Sequence, residues 1–337
     1  MTAQATGVGS LPGADIRAAV RLVVDVAADA GADLIHLPEL PARGAPASIT
    51  GRGVGLLVDL AADLQPAGWR LTGGGVSAAG GGHEQRQARS LLAQDLDALE
   101  EHTQGWAGAV KVQVAGPWTL AATIERPFGD RLLADHGARR ELSQSLAEGV
   151  GTHVRDVQRR VPGADVVVQV DEPGLPAVLA GAVPTASGFG RHRTVATPEA
   201  SEALADVFGV ITAAGARPAV HCCAAAVPVA LFAEAGASAI SLDVSQLTAA
   251  EVDALADVVH GGVDLWPGVE VAQEGGDRID GLLRLLDSLD LDPQLAAPRT
   301  VVTPVCGLAG ASPAGARAAY ERAYRLARQL SEAEGKI

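Results

Sequence analysis

The sequence predicts a single (β/α)8 TIM barrel. Three observations carry that prediction. Short β-type apolar runs alternate with longer amphipathic segments from one end of the chain to the other, a pattern that implies parallel strands joined by crossover helices. The runs number eight, which favours a closed barrel over an open doubly wound sheet. No internal repeat and no linker-like stretch interrupts the 337 residues, so one domain spanning 1–337 is the simplest organisation.

Taken in order, the first run covers residues 6–8 and leads into an amphipathic helix over 14–30. The second run, 33–37, is followed by a glycine-rich stretch at 73–82 and a helix over 84–102. Two triple glycines in that stretch point to a loop, since nothing there opens a helix as a phosphate cradle requires. Runs 109–115 and 165–170 place valine at alternating or successive positions and flank a long helical segment, 132–160. A helix over 198–214 then precedes run 217–220, and run 239–242 precedes a helix over 249–259. Runs 262–265 and 300–303, with helices over 276–289 and 313–333, complete the alternation.

Composition narrows the functional classes. With 48% hydrophobic residues the chain can bury a large core, and with only 3% aromatics that core must be packed mainly by Ala, Val and Leu. The net charge of −14 and the lack of a basic run leave no electrostatic footprint for a nucleic-acid backbone. No segment approaches 18 uninterrupted apolar residues, and 1–10 lacks a basic region followed by an apolar one. A soluble, cytoplasmic protein with no membrane partner is expected. Three cysteines fit a reducing compartment in which thiols remain available as ligands.

Those cysteines stand in two places, His221-Cys222-Cys223 and Pro304-Val305-Cys306-Gly307. In an extended segment side chains alternate faces, so His221 and Cys223 point one way and Cys222 the other. Cys306 can supply a third soft ligand if the fold brings the strand ends together. One imidazole and two thiolates suit zinc; the alternative is that all three are buried, apolar-behaving cysteines. The polar residues that look out of place each follow a run: Ser10, Glu39, Asp171 with Glu172, His221 with Cys223, Asp243, and Cys306. In a parallel barrel they converge on the C-terminal mouth, where such enzymes build their sites. Asp243 is a candidate fourth ligand, or else an ordinary helix N-cap. Asp171-Glu172-Pro173 is a pair of site carboxylates, or else the start of a turn.

Seven segments then align in order with one known family: Gly7-Val8-Gly9-Ser10-Leu11-Pro12, Gly116-Pro117-Trp118-Thr119-Leu120, Gln169-Val170-Asp171-Glu172-Pro173, His221-Cys222-Cys223, Ile240-Ser241-Leu242-Asp243, Trp266-Pro267-Gly268-Val269 and Pro304-Val305-Cys306-Gly307-Leu308. Together they resemble the catalytic barrel of cobalamin-independent methionine synthase over nearly the whole chain, in a short core form with only the C-terminal barrel. The resemblance implies a zinc-assisted methyl transfer to homocysteine. It implies that His221, Cys223 and Cys306 hold zinc and that Asp243 stands where the family has a glutamate ligand. Gly9 and Ser10 match the segment that holds the homocysteine carboxylate, Asp171 the residue that binds its amino group, and Glu39 a glutamate at the substrate site. No catalytic residue beyond the metal ligands is singled out.

The departures concern the methyl donor. Where the family has a folate-stacking aromatic this chain has Thr123, with Trp118 nearby as a conceivable substitute. Where the family has a proton-donating histidine it has Gln273, and no histidine follows His260. A methyl-folate carries its methyl on a nitrogen that leaves poorly unless protonated, whereas a methyl-corrinoid releases it from cobalt with no proton required. The expected donor is therefore methylcobalamin, or a methyl-corrinoid delivered by another protein. Competing expectations are methylation of a different small thiol, and a non-catalytic zinc- or thiol-binding barrel. A decarboxylase of the uroporphyrinogen type shares the barrel but needs no thiolate site.

Overall fold

A computed structural model describes residues 2–73, 81–270 and 279–333. Its strands are β1 (Gln4–Ala5), β2 (Leu34–His36), β3 (Ala62–Gln65), β4 (Gly68–Leu71), β5 (Ala109–Ala115), β6 (Asp165–Asp171), β7 (Arg217–Cys222), β8 (Ala239–Asp243), β9 (Asp264–Val269) and β10 (Val301–Pro304). Eight of them form one parallel sheet in the order β1-β10-β9-β8-β7-β6-β5-β2. Beyond the strands the two ends of the sheet meet: Ser10 bridges Glu39 in parallel, Leu11 N–H donates to the Glu39 carbonyl at 2.8 Å, and Glu39 N–H donates to the Gly9 carbonyl at 3.1 Å. The sheet is thereby closed, and the fold is a single (β/α)8 TIM barrel. The β3–β4 hairpin lies apart as a separate antiparallel pair.

The first strand pairs at Gln4–Ala5 rather than at the expected 6–8. A side chain at Gly7 would lie 2.5 Å from both the His36 ring and the Tyr320 hydroxyl. Tyr320, from the C-terminal helix, reaches into the β1–β2 seam there and bonds the His36 Nε2 atom at 3.1 Å, and the two sides of that seam bridge beyond it, at Ser10 and Glu39. The ninth strand runs to Val269, past the 262–265 expected. Pro267 argues against a central strand in sequence, yet it sits opposite Leu242 in the ladder. Gly268 follows, and a Cβ there would lie 2.6 Å from the Leu242 carbonyl oxygen.

The long helices fall where periodicity placed them: Ile16–Ala30, His83–His102, His136–Arg160, Thr197–Ala213, Ala249–His260, Ile279–Ser288 and Pro313–Glu332. Their starts are set by caps. Asp135 accepts the Ala138 N–H at 3.0 Å, which explains a start at His136 instead of 132, and Thr248 with Glu251 forms a capping box. Ile49–Leu56, Pro117–Thr123, Leu175–Leu179, Val229–Glu234 and Pro293–Ala296 are short helices with too few turns to show a period.

One apolar cluster fills the space between sheet and helices, and a smaller one of Leu34, Val167, Ala219, Ala239, Trp266 and Val301 plugs the barrel interior. Above that plug the interior turns polar. Lys111, Gln113, Gln169, Asp171, His221, Ser241 and Thr303 are all buried, and the alternation of each strand points them inward. Among the described residues no helix is long and apolar enough to cross a membrane.

Candidate metal and substrate site

β7 ends in His221 and Cys222, and Cys223 follows it. Cys222 packs into the main apolar cluster with no exposed surface, and burial pushes its thiol up to about 12. His221 and Cys223 face the mouth, where the loop after β10 brings Cys306. The His221, Cys223 and Cys306 donor atoms lie within 4.8 Å of one another, the one such His/Cys/Asp/Glu group among the described residues. The two sulfurs are 3.2 Å apart. Hydrogen bonding with Cys223 pulls the Cys306 thiol below its usual range.

His221 tests whether a metal fits. Its Nδ1 lies 2.9 Å from the Ser241 hydroxyl, while its Nε2 is buried with no hydrogen-bond partner. An imidazole nitrogen buried without a partner is costly, and a cation between it and two sulfurs removes that cost. The residues fit zinc, with Ser241 orienting the ring from behind. Asp243, the expected fourth ligand, lies outside this group. Its Oδ1 accepts the Ser245 N–H at 2.9 Å and the Ser245 hydroxyl at 2.7 Å, so it caps the turn Val244–Gln246 as an N-cap does.

Beside the sulfurs opens a cleft of about 290 Å³ lined by Gly9, Ser10, Glu39, Asp171, His221, Cys223 and Cys306 among others. Gly9 lies against Gln113, whose Nε2 would be 2.8 Å from an added Cβ. Gly307 packs on the Ser10 hydroxyl, 2.0 Å from where its own Cβ would be. Asp171 is buried, and its Oδ1 accepts from Gln169 Nε2 at 2.7 Å. Burial first, and then the nearby Glu39, push its carboxyl well above the usual range, and among the described residues no cationic side chain is hydrogen-bonded to it. Glu39 has one: its Oε1 accepts from Arg52 Nε at 2.9 Å, and Arg52 also donates to Asp95.

The two adjacent carboxylates part company. Asp171 faces the cleft, while Glu172 turns to the start of the helix Pro117–Thr123 and accepts from the Trp118 N–H at 2.9 Å, the Thr119 N–H at 2.8 Å and the Thr119 hydroxyl at 2.7 Å. Burial raises its carboxyl to about 7 against those hydrogen bonds. Trp118 is no substitute for a stacking aromatic at the mouth: it is buried, and its indole N–H donates to the Ala200 carbonyl at 3.0 Å. Thr123 is exposed, its hydroxyl bonded back to the Thr119 carbonyl at 2.9 Å. Gln273 and most of the glycine-rich stretch lie outside the described residues.

Motif reading gave no role to Gln169 and Ser241, although both lie in aligned segments, and did not reach Lys111 or Arg52. Lys111 and Gln169 were readable from strand alternation, because Lys111 and Gln113 alternate with Val110, Val112 and Val114, Gln169 and Asp171 alternate with Val168 and Val170, and a polar position repeated every second residue in a fully buried strand must face the barrel interior. Arg52 had no such signal, being on a short helix.

Fold and site together define a TIM barrel carrying a His-Cys-Cys donor set at its C-terminal mouth. No family model and no curated protein sequence matches the chain. Among solved structures it is similar to a B12-independent methionine synthase from Shewanella sp. W3-18-1, in complex with selenomethionine, at 13% identity over 98% of both chains with a TM-score of 0.60. It is also similar to a candidate vitamin-B12-independent methionine synthase from Listeria monocytogenes, at 13% identity over 100% of both chains with a TM-score of 0.62. At that identity the likeness establishes a shared fold over the full length.

Proposed function

We propose that this chain is a zinc-dependent methyltransferase that methylates the sulfur of homocysteine to give methionine, a single-barrel relative of the cobalamin-independent methionine synthases. The observation that carries this reading is the His221-Cys223-Cys306 donor set opening onto the same cleft as Asp171 and Ser10. A zinc ion held by those three residues would lower the pKa of a substrate thiol from about 8.5 and keep its sulfur as the thiolate. With three protein ligands a fourth position is left for that sulfur. Asp171, buried and with no cationic side chain hydrogen-bonded to it, faces the substrate ammonium. Ser10 and the Gly9 backbone face its carboxylate, and Glu39, already paired with Arg52, shapes the wall between them. The small cleft suits a free amino acid.

The donor is methylcobalamin or a methyl-corrinoid delivered by another protein. The sulfur forms its bond to carbon as the cobalt–carbon bond breaks, and the electron pair stays on cobalt. No acid is needed, which agrees with the exposed Thr123 and the buried Trp118 where a folate ring would require a stacking surface. The test is to mix zinc-loaded protein and homocysteine anaerobically with methylcobalamin or methyl-folate, following methionine by mass spectrometry and cobalt by its absorption. Methionine from methylcobalamin is expected. Methionine from methyl-folate alone would overturn the donor, and methionine from neither would overturn the activity. Replacement of Asp171 by Ala should raise the homocysteine KM roughly 10- to 100-fold, the worth of a hydrogen bond to a charged group, with zinc retained.

A further inference from the structure

Lys111 is buried at the centre of the barrel without lining the cleft. Its ammonium touches two neutral oxygens, the Val8 carbonyl and Gln169 Oε1, each at 2.8 Å. A lysine only donates, so the Gln169 oxygen must face it and the Gln169 amide nitrogen must face the other way. That nitrogen bonds Asp171 Oδ1 at 2.7 Å and the Val8 carbonyl at 2.9 Å. The second Asp171 oxygen makes no hydrogen bond among the described residues, and Asp171 lines the cleft. Val8 precedes Gly9 and Ser10, so its carbonyl, held by two donors, anchors that segment from below.

We propose that Lys111 is a positioning residue for the substrate site: acting through Gln169 it orients the Asp171 carboxylate, and acting through the Val8 carbonyl it sets the Gly9–Ser10 segment. The inference rests on the amino-acid substrate argued above. One buried cation thereby aligns the groups that receive the two ends of the substrate, while touching neither end. Charge supports the arrangement. Arg43, Arg52 and Lys111 stand within the network that holds Asp95, Glu39 and Asp171, and Lys111 is the cation of that set not already bonded to a carboxylate.

The experiment compares the full-length protein with its Lys111→Met and Gln169→Met variants, all zinc-loaded. Homocysteine and its analogue lacking the amino group, 4-sulfanylbutanoate, are titrated calorimetrically into each, and Lys111→Met is crystallised without ligand. Wild type should prefer the amino-bearing ligand, and both variants should keep their zinc while that preference falls by roughly tenfold or more, the scale of a charge-assisted hydrogen bond. A purely structural role would weaken both ligands alike and leave the preference unchanged, which overturns the inference. So would a Lys111→Met crystal structure in which Asp171, Gln169 and residues 8–10 keep their places. If Lys111→Met fails to fold, Gln169→Met carries the same comparison. A wild type with no preference for the amino group speaks against the substrate reading, and the variant structure then decides the part of Lys111 alone.

Discussion

His221 is a usable ligand because of what holds its other nitrogen. Ser241 occupies Nδ1, one strand over on β8, and leaves the unpartnered Nε2 for the sulfurs' side. Cys222, its neighbour, has the same chemistry and the wrong face. The metal should therefore follow the face and not the residue type. Cys306→Ser should lose most of its zinc, and Cys222→Ser should keep about one zinc per chain at some cost in stability, as elemental analysis of the purified variants would show; equal zinc in wild type and Cys306→Ser would sink the assignment. His153 makes a different point at the same scale. Burial, and then the nearby Arg52, lower its pKa to about 4, and its Nε2 has no partner. The folded protein keeps it neutral while the unfolded chain protonates near pH 6.5, so its folded form is favoured fully above that value and loses ground as pH falls toward 4. Between pH 7 and pH 5 this one group should account for about 2 kcal/mol of lost stability. Chemical denaturation of metal-free protein should show His153→Leu losing correspondingly less over that interval.

Among the helices, two glycines with the same propensity should answer oppositely to the same substitution. Gly149 lies in His136–Arg160, where an added Cβ would stand 1.9 Å from the Leu56 carbonyl oxygen at the end of another helix. Gly209 lies in Thr197–Ala213 on an exposed face with nothing within 4 Å. Alanine is favoured over glycine in a helix by about 1 kcal/mol. Gly209→Ala should therefore raise the thermal midpoint, and Gly149→Ala should lower it, because a backbone carbonyl cannot step aside as a flexible side chain would. Thermal melts of the two variants decide this. The lesson about legibility is the same: both glycines look like minor flaws in a helical pattern, and the packing of a second helix is what separates them. The cap of Pro117–Thr123 repeats it, since its carboxylate is Glu172 from the end of another strand.

Across the whole molecule, closure of the barrel is backed by a buried ionic chain. Arg52 joins Glu39, in the loop after β2, to Asp95 on the helix His83–His102, and Arg43 adds a two-pronged bond to Asp95 at 2.7 and 2.8 Å. Removing the middle member leaves Glu39 without its cation beside Asp171. Arg52→Met should cost about 3–5 kcal/mol, the scale for a broken buried pair, measured by denaturant unfolding. A cost near zero would mean that water or rearrangement compensates the carboxylate.

Alternating apolar runs and amphipathic segments determined the barrel, its strand count and the mouth on which Ser10, Asp171, His221, Cys223 and Cys306 meet, because strand period and chain direction are local properties that a one-dimensional pattern carries. The cysteine that faces inward was legible for the same reason. What Asp243 and Glu172 do was not, since each has two chemically sound uses and the choice rests on which backbone N–H groups lie within reach. The seam that Tyr320 fills, the helix that Gly149 touches, and the bonds of Lys111 to Val8 and Gln169 join residues far apart in the chain. Only the closed barrel brings them within bonding distance, and no local pattern encodes that distance.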